Sequence, residues 1–467
     1  MAGGARIADR GRFSAVTPDI LFLIVASVAG LLLIALIPPL AGGNEQMNFQ
    51  RAASIANGQP LVKPVPLPGG LIDLTSKADA RFREGAKPPY GYSRTDWQAL
   101  ADIPLQAAQQ RISHPNPIAV LNPVSYIPQA AAIAAGQAFA LWPLAIFYLG
   151  RLGGLIGGIA LTFFAIRIMP VHKLGLTAIA LMPPVLFSRS TLDADQLTNG
   201  LAFLFAAMAV REIGGSGRLS WARIAALAIA AFLLALSKSA YLLVPLISLA
   251  IPAKRFGSGR RRLLACALIC LPGIAGSLAW MLLLKLTYFT AVKYRTWSGV
   301  VDPQLQLALI LSHPFAFAGT VLRTLFATVL LPLAVIQFIG TFGPPVTMPL
   351  LLIVAVAGLL AATILSDGPI ALRSIRSGQT RLLAVAIVLL TLGLILTLLY
   401  LQWTRLGGPV IDGFNGRYLY PLAPLLLLVI PATGKPLFRL PSSAWLLALA
   451  IVSVGGTFWT TVQTYYG

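Results

Sequence analysis

The stretch Ile20–Leu40, ILFLIVASVAGLLLIALIPPL, carries no charge, and its one hydroxyl belongs to Ser27. A helix needs ~20 apolar residues to cross a bilayer core, so this stretch predicts a membrane span. It ends at Pro38-Pro39, where a missing N–H and a locked φ stop the helix. No small-residue cleavage pattern follows, so it reads as a retained span rather than a signal peptide. Arg6, Arg10 and Arg12 precede it and set the N-terminus on the cytoplasmic side.

The same reading extends outward. Of 467 residues, 57% are hydrophobic and 10% charged, with a mean hydropathy of +0.81. Soluble proteins carry about 25% charged residues, so most of this chain is solvated by lipid. The net charge of +21 comes from 35 Lys and Arg against 14 Asp and Glu. On a soluble chain this would point to nucleic acid. Here the basic residues sit in short segments between apolar runs, as topology demands, so no nucleic acid is called for. Anionic headgroups and a phosphate-bearing lipid substrate are compatible with the same charge.

Further apolar runs predict spans at about 143–169, 174–187, 197–210, 224–236, 241–251, 263–284, 349–365, 382–400, 418–429 and 444–462. The expected fold is an all-α polytopic membrane protein, one unit over 1–467, with about eleven transmembrane helices and the C-terminus in the periplasm. The short basic loops fall on one side: Arg211, Arg218 and Arg223; Lys254, Arg255 and Arg260–Arg262; Arg373, Arg376 and Arg381; Lys435 and Arg439. A large first loop, 42–142, lies on the other side. Its start, 44–58, has a helical pattern, 60–89 reads as extended loop, and 123–141 as an interfacial or re-entrant helix. A second outer segment spans 286–346, where Phe315–Ile339 either lies in the interface or forms a helical pair. Gly150, Gly154 and Gly158, with Gly153 and Gly157, form a small-residue face suited to close helix packing.

Few residues can carry chemistry. Cys266 and Cys270 share one span and define no disulfide framework, and His114, His172 and His313 lack zinc spacing. Glu45, Asp193, Asp195 and Asp412 lie beside span ends, where a carboxylate is costly unless paired or solvated. Asp193-Ala194-Asp195 at the start of a span reads either as a helix-capping pair or as a site that holds a divalent metal or polarises a hydroxyl. Glu45 reads as a helix N-terminal charge or a general base, with Arg51 as its partner charge. Lys238 in Ser-Lys-Ser, and Arg417 in Asn-Gly-Arg-Tyr, read as snorkelling cations or as grips on a lipid phosphate. Arg151 and Arg189 are similar, and Tyr241 and Tyr418 stand beside these cations.

Together these stretches resemble membrane glycosyltransferases of the GT-C fold. The match lies in Pro38-Pro39 followed by Asn44-Glu45-x-x-Asn48, and in Ser188-Arg189-Ser190 leading to Asp193-Ala194-Asp195. More narrowly, the chain resembles a bacterial family of polytopic membrane proteins classed as a domain of unknown function. That match lies in Pro123–Gln129, Tyr148–Leu152, Met182–Leu197, Leu236–Tyr241 and Gly416–Pro421. The resemblance implies a bacterial inner-membrane enzyme that moves a sugar from a polyprenyl-phosphate donor to a glycan or lipid acceptor outside the cytoplasm. It places the base at Glu45. The GT-C pattern has Asp-Glu and then His where this chain has Asn44-Glu45 and Asn48. Either Glu45 suffices or Asp195 takes the role. A flippase for lipid-linked glycan and a non-catalytic subunit of a glycan-assembly complex are the alternatives.

Overall fold

The computed structural model describes residues 16–79, 88–287, 294–296, 299–329, 332–343, 346–367, 375, 377–430 and 440–467. Arg6, Arg10, Arg12, Arg373, Arg376, Lys435 and Arg439, which entered the topology reading, lie outside them.

The chain is mostly helical. The first helix, α1 (Pro18–Leu36), has proline at its first turn and stops before Pro38. The segment after α1 then builds α2 (Glu45–Ala56), β1 (Val65–Pro68), α3 (Gly69–Asp79), α4 (Arg94–Ala101), β2 (Gln110–Ser113) and α5 (Ile127–Ala138). α2 matches the helical pattern read at 44–58. The segment from 60 to 89 is not the extended loop expected, because β1 and α3 occupy part of it. β1 pairs antiparallel with β2, Val65 opposite Ser113. A capping box starts α4: the Ser93 N–H donates to Asp96 at 2.8 Å and Asp96 N–H returns to Ser93 Oγ at 3.3 Å. These elements bury an apolar core of their own, with Phe49, Leu67, Leu74 and Tyr126 in it.

The rest is a helical bundle: α6 (Pro143–Ile168), α7 (Lys173–Ala180), α8 (Pro183–Arg189), α9 (Asp195–Gly214), α10 (Trp221–Ser237), α11 (Gly259–Thr287), α12 (Pro303–Ser312), α13 (Pro314–Thr324), α14 (Pro332–Gly340), α15 (Leu350–Ser366), α16 (Gly378–Gln402), α17 (Ala423–Val429) and α18 (Ser442–Tyr465). α6 lies against α1, α5 and α9. Its glycines allow this: a Cβ on Gly153 would lie 2.4 Å from the Pro128 carbonyl oxygen, and one on Gly154 would lie 1.8 Å from Gln196 Oε1.

Among the described residues six helices, α1, α6, α9, α11, α16 and α18, are long and apolar enough to cross a membrane, and counting one bent pair makes seven. The rest of the eleven runs read as spans form shorter helices: α10 and α15 are 17 residues each, and proline shortens the other three. Pro183-Pro184 splits the span read at 174–187 into α7 and α8, Pro245 lies in a 3-10 stretch at Val244–Ala250, and Pro421 leaves only a 3-10 run before α17. Within Phe315–Ile339 the described residues form α13, a π-helical turn at Leu325–Val329 and α14, and α12 and α13 meet at 108°. Rows of exposed apolar side chains, such as Leu264, Leu271 and Leu278 on α11 and Leu382 and Leu389 on α16, mark faces suited to lipid.

Candidate active site

α9 begins inside the bundle, and its first residue brings Asp195 to the floor of a cavity of about 1050 Å³ counted to its mouth. The turn from α8 into α9 is fixed by buried amides. Gln196 Nε2 donates to the carbonyls of Ser188 at 3.1 Å and Arg189 at 3.0 Å, and also to that of Thr191. Gln129 of α5 reaches the Asp193 carbonyl at 3.3 Å.

Two carboxylates and two cations then meet. Lys238, at the break after α10, places Nζ 2.8 Å from Asp195 Oδ1. Arg417, on the 3-10 turn Gly416–Leu422, places Nη1 3.3 Å from Asp193 Oδ2 and Nε 3.4 Å from Asp195 Oδ2. The last pair lacks hydrogen-bond geometry, so Arg417 Nε and Asp195 Oδ2 have no hydrogen-bond partner among the described residues. Each therefore keeps capacity for a ligand. Lys238 Nζ sits 4.5 Å from the Tyr418 ring centroid, and the Tyr241 hydroxyl donates to the Tyr418 carbonyl at 3.0 Å. Burial, reinforced by the negative charge of Asp195, pushes the Asp193 carboxyl above the usual aspartate range despite Arg417.

The other side of the cavity is apolar. Trp280, Met281 and Leu284 come from α11, and Ile395, Leu398 and Leu399 from α16. One chamber thus joins a charged end to a wall supplied by two membrane-length helices. Asn44 and Asn48 stand at its edge, and Tyr126 donates to Asn48 Oδ1 at 2.6 Å.

The structure brings together Asp193, Asp195, Lys238, Arg417, Tyr241 and Tyr418 of the residues singled out in the sequence. It leaves three outside the cavity lining. Glu45 and Arg151 have fully buried side chains and pair with each other at 2.7 Å, so Arg51 is not the partner of Glu45. Arg151 Nε donates to Glu45 Oε1 and Nη2 to Oε2; the remaining donors take the carbonyls of Ile34, Ile37 and Pro38 at the end of α1. Glu45 also accepts the backbone N–H groups of Gly42 at 3.0 Å and Leu192 at 2.6 Å. Arg189 is buried against Phe22 and the Ala180 carbonyl.

Among the described residues no three His, Cys, Asp or Glu side chains converge as a metal site would require. The donor set at Asp193 and Asp195 does not fit a divalent ion well, because Lys238 and Arg417 already take the position beside both carboxylates. Sequence reasoning missed Tyr126, Gln129 and the wall from α11 and α16. Tyr126 and Gln129 fall within Pro123–Gln129, one of the stretches that carried the family resemblance, and that was their only signal.

No curated protein and no solved structure matches the chain. A family model described as predicted membrane protein (DUF2142) matches residues 28–426, a stretch that contains every cavity residue named above, and the chain belongs to that family of membrane proteins.

Proposed function

We propose that the chain is a GT-C-like glycosyltransferase, taking a sugar from a polyprenyl-phosphate carrier to a glycan or lipid acceptor on the periplasmic face of a bacterial inner membrane. The observation that carries this reading is a single cavity lined both by paired charges and by apolar side chains of two membrane-length helices. Lys238 and Arg417 offer cationic donors to a phosphate, while the α11 and α16 side chains offer a wall for its lipid chain.

In this reading the acceptor hydroxyl attacks the anomeric carbon. The bond from that carbon to the phosphate oxygen breaks, and its electron pair leaves on the lipid phosphate. Lys238 and Arg417 stabilise that charge as it develops. Asp193 takes the hydroxyl proton. A base works best with a pKa near the working pH, and the raised Asp193 carboxyl is closer to that than an ordinary aspartate. Asp195 holds the two cations in place until the phosphate arrives. Glu45, whose oxygens are already filled by four donors, positions the turn that bears Asp193.

The test is transfer of a radiolabelled sugar from a polyprenyl-phosphate donor by the protein in proteoliposomes, with native mass spectrometry of lipid retained after purification. Retained polyprenyl phosphate and a new glycosidic bond support the reading. Movement of lipid-linked glycan across the vesicle without a new bond would overturn it in favour of a flippase.

A further inference from the structure

Two arginines, Arg51 and Arg151, are buried, and their surroundings differ. Arg151 is neutralised by Glu45. Arg51, on α2, is only 3% exposed, yet it forms no ion pair with a carboxylate among the described residues. Its Nη2 donates to the Pro60 carbonyl at 2.8 Å and the Leu121 carbonyl at 3.2 Å, and its Nε has no partner among the described residues. Burial pushes its guanidinium down to about 10. A buried charge without a counter-charge is costly unless something supplies one.

A second, narrow cavity opens at this arginine. Lys63, His114, Gln50, Ser54 and Asn116 share its lining with Arg51, and no Asp or Glu does. Lys63 and His114 are exposed, and neither side chain is held by a hydrogen bond or ion pair to another described residue. A buried guanidinium at the base and an ammonium and an imidazole at the rim leave the pocket with cationic and N–H groups and no carboxylate among its lining residues; the Ser54 hydroxyl and the Asn116 amide donate to carbonyl oxygens of the protein itself. Only the turn Pro117–Leu121 separates the pocket from the first cavity: Ala119 lines this pocket, whereas Ile118 and Leu121 line the other.

We propose that Arg51, Lys63 and His114 form a second anion site, on the outer loop of the fold, for a single oxyanion, a carboxylate or a phosphate monoester, carried by a sugar. The anion site stands on its own residues; that a sugar carries the anion rests on the transfer reading. If that reading holds, the site's place behind the Pro117–Leu121 turn makes it an anchor for an acidic group on the acceptor.

The test uses the full chain in detergent and calorimetric titration at fixed salt with glucuronate, glucose 6-phosphate and uncharged glucose. At least one acidic sugar should bind and glucose should not. Binding of glucuronate alone assigns a carboxylate, and of glucose 6-phosphate alone a phosphate. Lys63→Gln with His114→Gln changes only exposed side chains and should weaken binding about tenfold or more, as loss of charge-assisted hydrogen bonds does. Arg51→Gln should abolish binding, but the double variant keeps the test open if that protein does not fold. Absence of binding by both acids, equal binding of glucose, or full binding by the double variant would overturn the site. Loss of binding in Lys238→Gln alone would return the anion to the first cavity.

Discussion

Glu45 Oε1 accepts the backbone N–H of Leu192 at 2.6 Å across 147 residues of chain. The next residue is Asp193. The same carboxylate is gripped by Arg151, whose other donors hold the end of α1. One buried ion pair therefore ties α1, the start of α2 and the acidic turn into a fixed arrangement. Its placement explains how a residue outside the cavity lining governs the residues within it.

Breaking that pair should cost stability first. Removing one partner of a buried ion pair typically costs about 3–5 kcal/mol, because the other charge is left uncompensated. Glu45→Gln is expected to lower the Tm of the detergent-solubilised protein markedly and to reduce its yield, with transfer lost alongside. A Glu45→Gln protein with wild-type Tm and no transfer would instead put Glu45 into the chemistry.

The helical membrane character and the short helix at Glu45 were legible in the sequence because they rest on apolar run length and on local pattern. Asp193, Asp195, Lys238 and Arg417 could be singled out because charges beside span ends are few. Their convergence could not be read, since Arg417 lies 224 residues from Asp193. The role of Glu45 was hidden for the same reason, its partner being 106 residues away. Leu284 and Leu399 look like any lipid-facing leucine until the packing turns them inward. Six or seven helices reach membrane length among the described residues, because Pro183-Pro184, Pro245 and Pro421 divide apolar runs and α10 and α15 stop at 17 residues.

Asp193 should trade stability for activity. Its folded pKa is raised above the unfolded value, so the fold favours the protonated form. The stabilisation that follows is present below the unfolded pKa and is lost as pH rises through the folded one. Asp193→Asn mimics the protonated state permanently, so its Tm at pH 7 should equal or exceed wild type. Transfer should fall by about 100-fold or more, as expected for loss of a general base. In the wild type the acid limb of the transfer rate should lie above pH ~4, the ordinary aspartate value. An Asp193→Asn protein that transfers at the wild-type rate removes this residue from the reaction.

Lys238→Gln separates binding from folding. The ammonium is partly exposed, with a side-chain exposure of 19%, so its loss should leave the Tm within a few degrees of wild type. Asp195 keeps Arg417 as its counter-charge. The phosphate loses one of two cations, and the KM for the lipid donor should rise about tenfold or more. Native mass spectrometry should show less retained polyprenyl phosphate. An unchanged KM with unchanged lipid retention would show that Arg417 alone holds the phosphate.

Gly154 is expected to be intolerant of even one methyl group, and its neighbour explains why. A Cβ there would lie 1.8 Å from Gln196 Oε1 and 2.8 Å from its Cδ. Gln196 cannot move freely, because its amide nitrogen is bound to the carbonyls of Ser188 and Arg189. Alanine must therefore push α6 away from α9 or pull Gln196 off the turn that leads to Asp193. Overpacking of this kind costs about 1–3 kcal/mol. The comparison is Gly393→Ala in α16, where an added Cβ meets nothing within 4 Å. Alanine has the higher helix propensity, so Gly393→Ala should match or exceed the wild-type Tm, while Gly154→Ala should lower it and reduce transfer. Equal Tm values for the two variants would mean that α6 and α9 are not packed as closely as the glycine face requires.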